Sequence, residues 1–313
     1  MSEKRNQCWQ NAPQLNKLAS AQQGGNRGAQ LWGVQINGTM NTIYQITPGG
    51  SWSQWMGNDW AGPGYPQQTY ELTAAEQSNA CVQFWGLDLN LELWTTSQSS
   101  PGGDWAGWSG PGWNKAPKGM KRLAACRQGG AKGLLLWGIC EDFSLVNCYQ
   151  PTPGGQWSAW QSWPATPVKS QFAEIAAAEQ DGHAQLWALD TDRHLWASRQ
   201  TTRGGSWTPW EGPNWLGAPS LINITVCQQG GTRGSQIWGI TEDYTLISNF
   251  EITPGGGKWN GWSTSSWMKA PQVYELTAAQ QNNGCIEFWA LTLQQELISI
   301  SQTSPGGDWG PWS

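Results

Sequence analysis

The chain has 313 residues, a formal net charge of −5 and only 12% charged residues. That balance offers no basic footprint for nucleic acid or an acidic membrane surface, and no run of about 18 apolar residues exists to span a bilayer. Gly (40) and Pro (18) are frequent, as short strands and tight turns require, and Trp reaches 26 residues.

In chain order, the first unit runs from 12 to 63. Leu15 to Gln22 alternates apolar and polar residues and predicts a strand. Gly24-Gly25-Asn26-Arg27-Gly28 is a turn, Ala29 to Ile36 a second strand holding Trp32, and Asn37-Gly38 a two-residue hairpin. Thr39 to Thr47 is a third strand. Pro48-Gly49 suits the centre of a type II turn, and Trp52 to Trp55 begins a short fourth strand. On a strand, those two Trp would point to opposite faces, one between neighbouring units and one at the rim. Asp59-Trp60-Ala61-Gly62-Pro63 crosses to the next unit.

The same order then recurs. Turn-Trp-x-x-Trp segments begin their Trp pairs at Trp52, Trp105, Trp157, Trp207, Trp259 and Trp309, spaced 50 to 53 residues apart. A second marker, a Trp followed by Gly or Ala and an aliphatic residue, sits about 20 residues before each turn, at Trp32, Trp85, Trp137, Trp187, Trp238 and Trp289. A period of that length means a repeat architecture. Crossing Trp residues follow the first five units, at Trp60, Trp113, Trp163, Trp215 and Trp267; the sixth unit ends without one. Gln7-Cys8-Trp9-Gln10-Asn11-Ala12-Pro13 matches Ser266-Trp267-Met268-Lys269-Ala270-Pro271, so Trp9 supplies the missing crossing and the first residues complete the last unit. Such complementation closes a ring. The expectation is an all-β, six-bladed β-propeller with four antiparallel strands per blade. It forms a single domain with repeats 12–63, 64–115, 116–165, 166–217, 218–269, and 270–313 joined by 1–11.

The repeats alternate between two kinds. Units one, three and five carry a longer Gly-Gly turn with Arg27, Lys132 or Arg233; units two, four and six are shorter there. Three copies of a two-blade unit predict two classes of inter-blade groove, three of each.

Of the seven cysteines, Cys81 and Cys285 share one repeat position, where unit four has His183, and Cys126 and Cys227 share another, where unit one has Ala21. This is the pattern of small buried side chains rather than a disulfide framework or a metal site, and reduced thiols suit a cytoplasm. Met1 to Gln7 has no apolar stretch after its charges, so cytoplasmic synthesis without a secretory signal is expected. Release from the cell, or association with its surface, stays open. The glycosylation patterns at Asn37 and Asn223 are discounted on the same ground.

The Leu-Trp-Gly/Ala strand, the third strand ending in Gln, and the Gly-Gly-x-Trp-x-x-Trp return resemble tectonin-like and fucose-binding bacterial β-propeller lectins over the whole chain from Cys8 to Ser313. The resemblance implies shallow sugar sites in grooves between adjacent blades, and glycan ligands that include fucose or methylated sugars. No residue set here carries over as one lectin's fucose site.

Sugars present C–H faces to aromatic rings and hydroxyls to polar neighbours. The crossing residues Trp9, Trp60, Trp113, Trp163, Trp215 and Trp267 lie on loops, where binding residues concentrate on a rigid scaffold; they are the candidate platforms, with core packing as their alternative role. The recurring polar residues Arg27, Lys132, Arg233, Glu76 and Glu179 are read as turn residues able to bond sugar hydroxyls, or simply solvated. The acids are scattered and repeat with the blades, so no paired carboxylates for glycoside hydrolysis stand out. His183 and His194 have no evident triad partners. The function read from the sequence is multivalent, agglutinating carbohydrate binding without catalysis, cofactor or metal. A non-catalytic protein–protein interaction propeller is the alternative, and association of rings into homo-oligomers stays open.

Overall fold

The computed structural model describes residues 9, 11–163 and 171–313. Residues 1–8 and 10, and with them Cys8, lie outside it, as does the expected 165/166 boundary. Six antiparallel sheets follow one another along the chain. Each has an inner strand: Leu15–Gln22, Thr69–Glu76, Met120–Arg127, Phe172–Gln180, Leu221–Gln228 and Val273–Gln280. Each inner strand neighbours the next, and the sixth neighbours the first, so the sheets are the blades of a closed six-bladed β-propeller.

The middle strands explain the Trp-Gly/Ala marker. Ala29–Gln35 and its equivalents pair on both edges and are buried on both faces, so they read as continuous apolar runs. The six Trp at their centres are at most 1% exposed. The hairpin at Asn37-Gly38 and the turn at Pro48-Gly49 form as expected: Gly38 has φ 83° and Gly49 φ 67°, values a side chain resists.

The fourth strand is where the expectation fails. Among the described residues only the third blade has one, Gln161–Ser162. Elsewhere it is reduced to single bridges such as Gln45↔Trp52, Thr42↔Met56 and Gln200↔Trp207. Glycines and prolines between and beside the paired Trp, as at Gly107, Pro209 and Pro311, interrupt the ladder. Without a regular strand the two-residue alternation is lost, and both Trp of a pair pack into one cluster, as Trp105 and Trp108 do.

No single core exists among the described residues. The buried side chains fall into six clusters, one per seam between blades. The seam that closes the ring is built like the others. Trp9 lies among Trp52, Trp289 and Leu297, and its indole N–H donates to Ser299 Oγ at 3.0 Å. Tyr274 donates to the Leu15 carbonyl at 2.9 Å, as Tyr70 does to Met120 at 2.7 Å one-third of the way round. Buried amides also bridge seams, with Gln98 donating to Gln23, Gln200 to Gln128 and Gln302 to Gln229.

Every inner strand slips register at its third residue, between Leu15 and Lys17 in the first blade and at the same place in the other five. Such bulges re-aim side chains. The residues concerned, Lys17, Glu71, Arg122, Glu174, Asn223 and Glu275, form a ring at one end of the hub. Signs alternate around most of it. Lys17 lies 3.3 Å from Glu275 and 3.6 Å from Glu71, Arg122 lies 3.7 Å from Glu71 and 2.9 Å from Glu174, and Asn223 donates to Glu275 at 3.1 Å. Burial pushes the Glu71 carboxyl from its ordinary 4.5 up to about 7, with Lys17 and Arg122 offsetting only part of the effect.

Trp9→Ala should empty a filled seam and cost about 3–5 kcal/mol, read as a loss of unfolding free energy in denaturant; a loss below about 0.5 kcal/mol, the range of surface substitutions, would show the closing seam to be dispensable. The folded chain holds the Glu71 proton at a pH where the unfolded chain has released it. The stability this provides is complete below pH 4.5 and disappears as pH rises toward 7. Glu71→Gln should therefore melt close to the parent at pH 5 and above it at pH 8; a variant that melts lower at pH 8 would show that the ion pairs outweigh burial.

Candidate functional site

Each seam gathers three Trp, and clefts open at the rim between blades four and five and between blades five and six. The middle-strand Trp of one blade forms the floor, the crossing Trp covers it, and the first Trp of the next blade's pair meets both. Trp60 is 6.0 Å from Trp32 and 4.7 Å from Trp105, ring centre to ring centre. The crossing-to-pair distances in the other five grooves are 5.1 Å (Trp113–Trp157), 4.8 Å (Trp163–Trp207), 4.8 Å (Trp215–Trp259), 4.9 Å (Trp267–Trp309) and 5.2 Å (Trp9–Trp52). All are edge-to-face, the preferred arrangement for such rings.

The crossing Trp are therefore seam residues first. Trp9, Trp215 and Trp267 are 6 to 9% exposed, while Trp60, Trp113 and Trp163 are half-buried. The indole N–H groups of all six floor Trp find no hydrogen-bond acceptor, and the near-perpendicular packing puts edges against π faces, which compensates weakly.

The turn residues divide. Arg27, Lys132 and Arg233 reach the grooves. Arg27 stacks on Tyr44 at 4.3 Å, Lys132 on Tyr149 at 4.8 Å and Arg233 on Phe250 at 4.6 Å. Each stem passes beside a left-handed glycine of the next blade: a methyl on Gly102, Gly204 or Gly306 would stand 3.4 Å from Arg27, 3.2 Å from Lys132 or 3.5 Å from Arg233. In the groove between blades five and six, Arg233 and Phe250 share a cleft of about 340 Å³ with Trp262, Trp267, Trp309 and Asn260.

Glu76 and Glu179 do not reach the grooves. They end inner strands and line the second mouth of the hub with Arg127, which lies 3.4 Å from Glu179. Burial raises the Glu76 carboxyl, and Arg127 offsets this only in part. The sequence places them beside a turn; the structure continues the strand through them, so they face the axis.

The even grooves have no such cation-on-aromatic pair among the described residues. Between blades four and five a cleft of about 90 Å³ is lined by Arg199, Glu211, Trp215, Leu216 and Trp259. The aromatic partners Tyr44, Tyr149 and Phe250 escape the sequence reading, although they signal themselves. The last residue of the outer strand is aromatic in the same three repeats that carry the cation, and Ser97, Arg199 or Ser301 in the others.

Asp190, Asp192 and His194 cluster closely enough to hold a metal. Asp190 is already engaged: it accepts from the backbone of Asp192 and His194 and from the Trp196 indole at 2.8 to 3.0 Å. Asp88 plays the same part toward Asn90, Glu92 and Trp94, without a histidine, so the arrangement is a hairpin lock. The six described cysteines are free and buried, and burial pushes the Cys227 thiol up to about 12, far from a reactive thiolate.

No family model matches the sequence, and neither does any curated protein. Solved structures match in fold. AofleA from Arthrobotrys oligospora is 16% identical with a TM-score of 0.69, over 94% of this chain and 84% of that one. The fucose-specific lectin from Aleuria aurantia is 16% identical with a TM-score of 0.67, over 95% of each chain. The BP39L lectin from Burkholderia pseudomallei is 18% identical with a TM-score of 0.63, over 94% and 83%. At that identity the likeness establishes the propeller fold.

The glycines that let the cations through can be tested directly. Gly306 has φ 62°, and a methyl there would stand 2.5 Å from the Gly230 carbonyl; Gly154 has φ 67°, with its nearest neighbour, Gln77, at 3.8 Å. Both alanine variants pay the left-handed penalty of about 1–2 kcal/mol. Gly306→Ala should lose more than Gly154→Ala in denaturant unfolding, and equal losses would show that the odd seams are not tightly closed over the cation.

Proposed function

We propose that the protein is a multivalent carbohydrate-binding lectin that recognises cell-surface glycans through its inter-blade grooves and acts without catalysis. The observation that carries this reading is threefold repetition: a cation stacked on an aromatic ring beside a Trp cluster recurs at three seams of one rigid ring, and at the seam between blades five and six it lines an open cleft with Trp and polar side chains. A ring that grips one protein partner gains nothing from equivalent sites, whereas a glycan-coated surface rewards them. Avidity from several linked weak sites is of order 10²–10⁴.

The structural neighbours support the same reading. The Aleuria aurantia protein is fucose-specific, one of its variants is seen with Fucα1-6GlcNAc, and the SapL1 lectin is seen with α-methyl fucoside. Fucose or a methylated sugar is accordingly the first neutral ligand we propose. The buried free thiols suit synthesis in a reducing compartment. No helix of the described residues is long and apolar enough to cross a membrane.

Calorimetric titration with monosaccharides and short oligosaccharides should give three or six sugars per chain. Glycan-dependent agglutination of cells should be reversed by the free sugar. One sugar per chain, or a stoichiometric protein partner captured in the presence of free sugar with no glycan bound, would contradict the proposal.

A further inference from the structure

The two groove classes differ in charge as well as shape, and the cations of the odd class are unspent. Arg27, Lys132 and Arg233 are half-buried. Among the described residues none of them makes an ion pair. This contrasts with Lys17, Arg122, Arg127 and Arg193, which all do. The rings of Tyr44, Tyr149 and Phe250 cover one side of each cation. A ring face holds a cation in place but does not use its N–H donors. The cleft around Arg233 contains no carboxylate. A partly desolvated cation with free donors, fixed by stacking beside an open cleft, is arranged for an oxyanion that comes from outside. The class with no such pair is different in kind: in the groove between blades four and five, Arg199 shares its cleft with Glu211 and Glu251.

We infer that the grooves between blades one and two, three and four, and five and six select glycans carrying an acidic group, a carboxylate or a sulfate ester, and that the other three grooves do not. This inference rests on the lectin reading and refines it. Two of the three cations are guanidinium groups, which can pair an oxyanion through two parallel N–H donors while their stems lie along the next blade's glycine. The remainder of the sugar would lie toward the Trp edges and Asn260 or its equivalents. Recognition of this kind weakens with salt, because the grooves are open to solvent.

The test is calorimetric titration of the intact chain at low and high salt with three probes: methyl glucuronide, N-acetylglucosamine-6-sulfate and methyl fucoside. The expected result is that at least one acidic probe binds with three sites per chain, about 10-fold or more tighter than the neutral one at low salt, with the gap narrowing as salt rises. Which acidic probe wins tells carboxylate from sulfate. The triple variant R27Q/K132Q/R233Q should lose the acidic preference, its affinity for the acidic probe falling to that for the neutral one or below, and R27K/K132R/R233K should keep the preference. If acidic and neutral probes bind alike, or the glutamine variant retains the preference, the inference is overturned and the lectin reading stands. If none of the probes, nor any glycan on a broad array, binds, both fail.

Discussion

The structure depends on one arrangement made six times: a Trp on a middle strand, a Trp on a crossing loop and a Trp from the next blade gather at a seam, with the last two edge to face. Each Trp can withdraw roughly 150–250 Å² from water, and each well-placed aromatic pair adds about 0.5–1.5 kcal/mol beyond that. A blade by itself could not bury such a surface; its neighbours must. This is why the chain has six seam clusters instead of one core, and why the first blade needs the last. The grooves are the solvent edge of the same seams, so stability and candidate binding are two readings of one set of side chains. The crossing Trp illustrate the compromise: packed against neighbouring rings to hold the seam, they leave only part of their surface open.

The hub solves a different problem. Six inner strands converge where only small side chains fit, and bulges turn six polar residues into the opening. Buried charges are costly unless paired, and the near-alternation of Lys17, Glu71, Arg122, Glu174 and Glu275 pairs them. Three carboxylates to two cations leaves one in excess. Burial is what pushes the Glu71 and Glu275 carboxyls upward, and the neighbouring cations offset it only in part. The rim shows the reverse imbalance, with cations left over at three seams.

Most of the fold was legible in the sequence because its signals are periodic. The Trp spacing gave the blade count, and the likeness of Trp9 to Trp267 gave the closure. The alternation of the Gly-Gly turns gave the two groove classes, now visible as cations on aromatic rings at three seams. What was not legible depended on geometry rather than period. The Trp-x-x-Trp segment looks like a strand, but Gly and Pro reduce it to single bridges, and its two Trp then share one seam. Glu76 and Glu179 follow apolar runs and precede turns, so nothing local says that the strand carries them to the axis. The hub ring is invisible because its members, Lys, Glu, Arg, Glu, Asn and Glu, share a position but not a chemistry. Tyr44, Tyr149 and Phe250 could have been paired with their cations by noticing that both vary with the same two-blade period.

The central claim is that the ring is closed by a sixth seam equal to the other five. Hydrogen exchange at the indole N–H of the six floor residues, followed by NMR, measures how often each seam opens. The account predicts that Trp289, under the closing seam, exchanges as slowly as Trp32, Trp85, Trp137, Trp187 and Trp238. Exchange at Trp289 about 100-fold faster than at the rest, a difference of some 2.7 kcal/mol in opening free energy, would contradict it and describe an open array whose ends only meet.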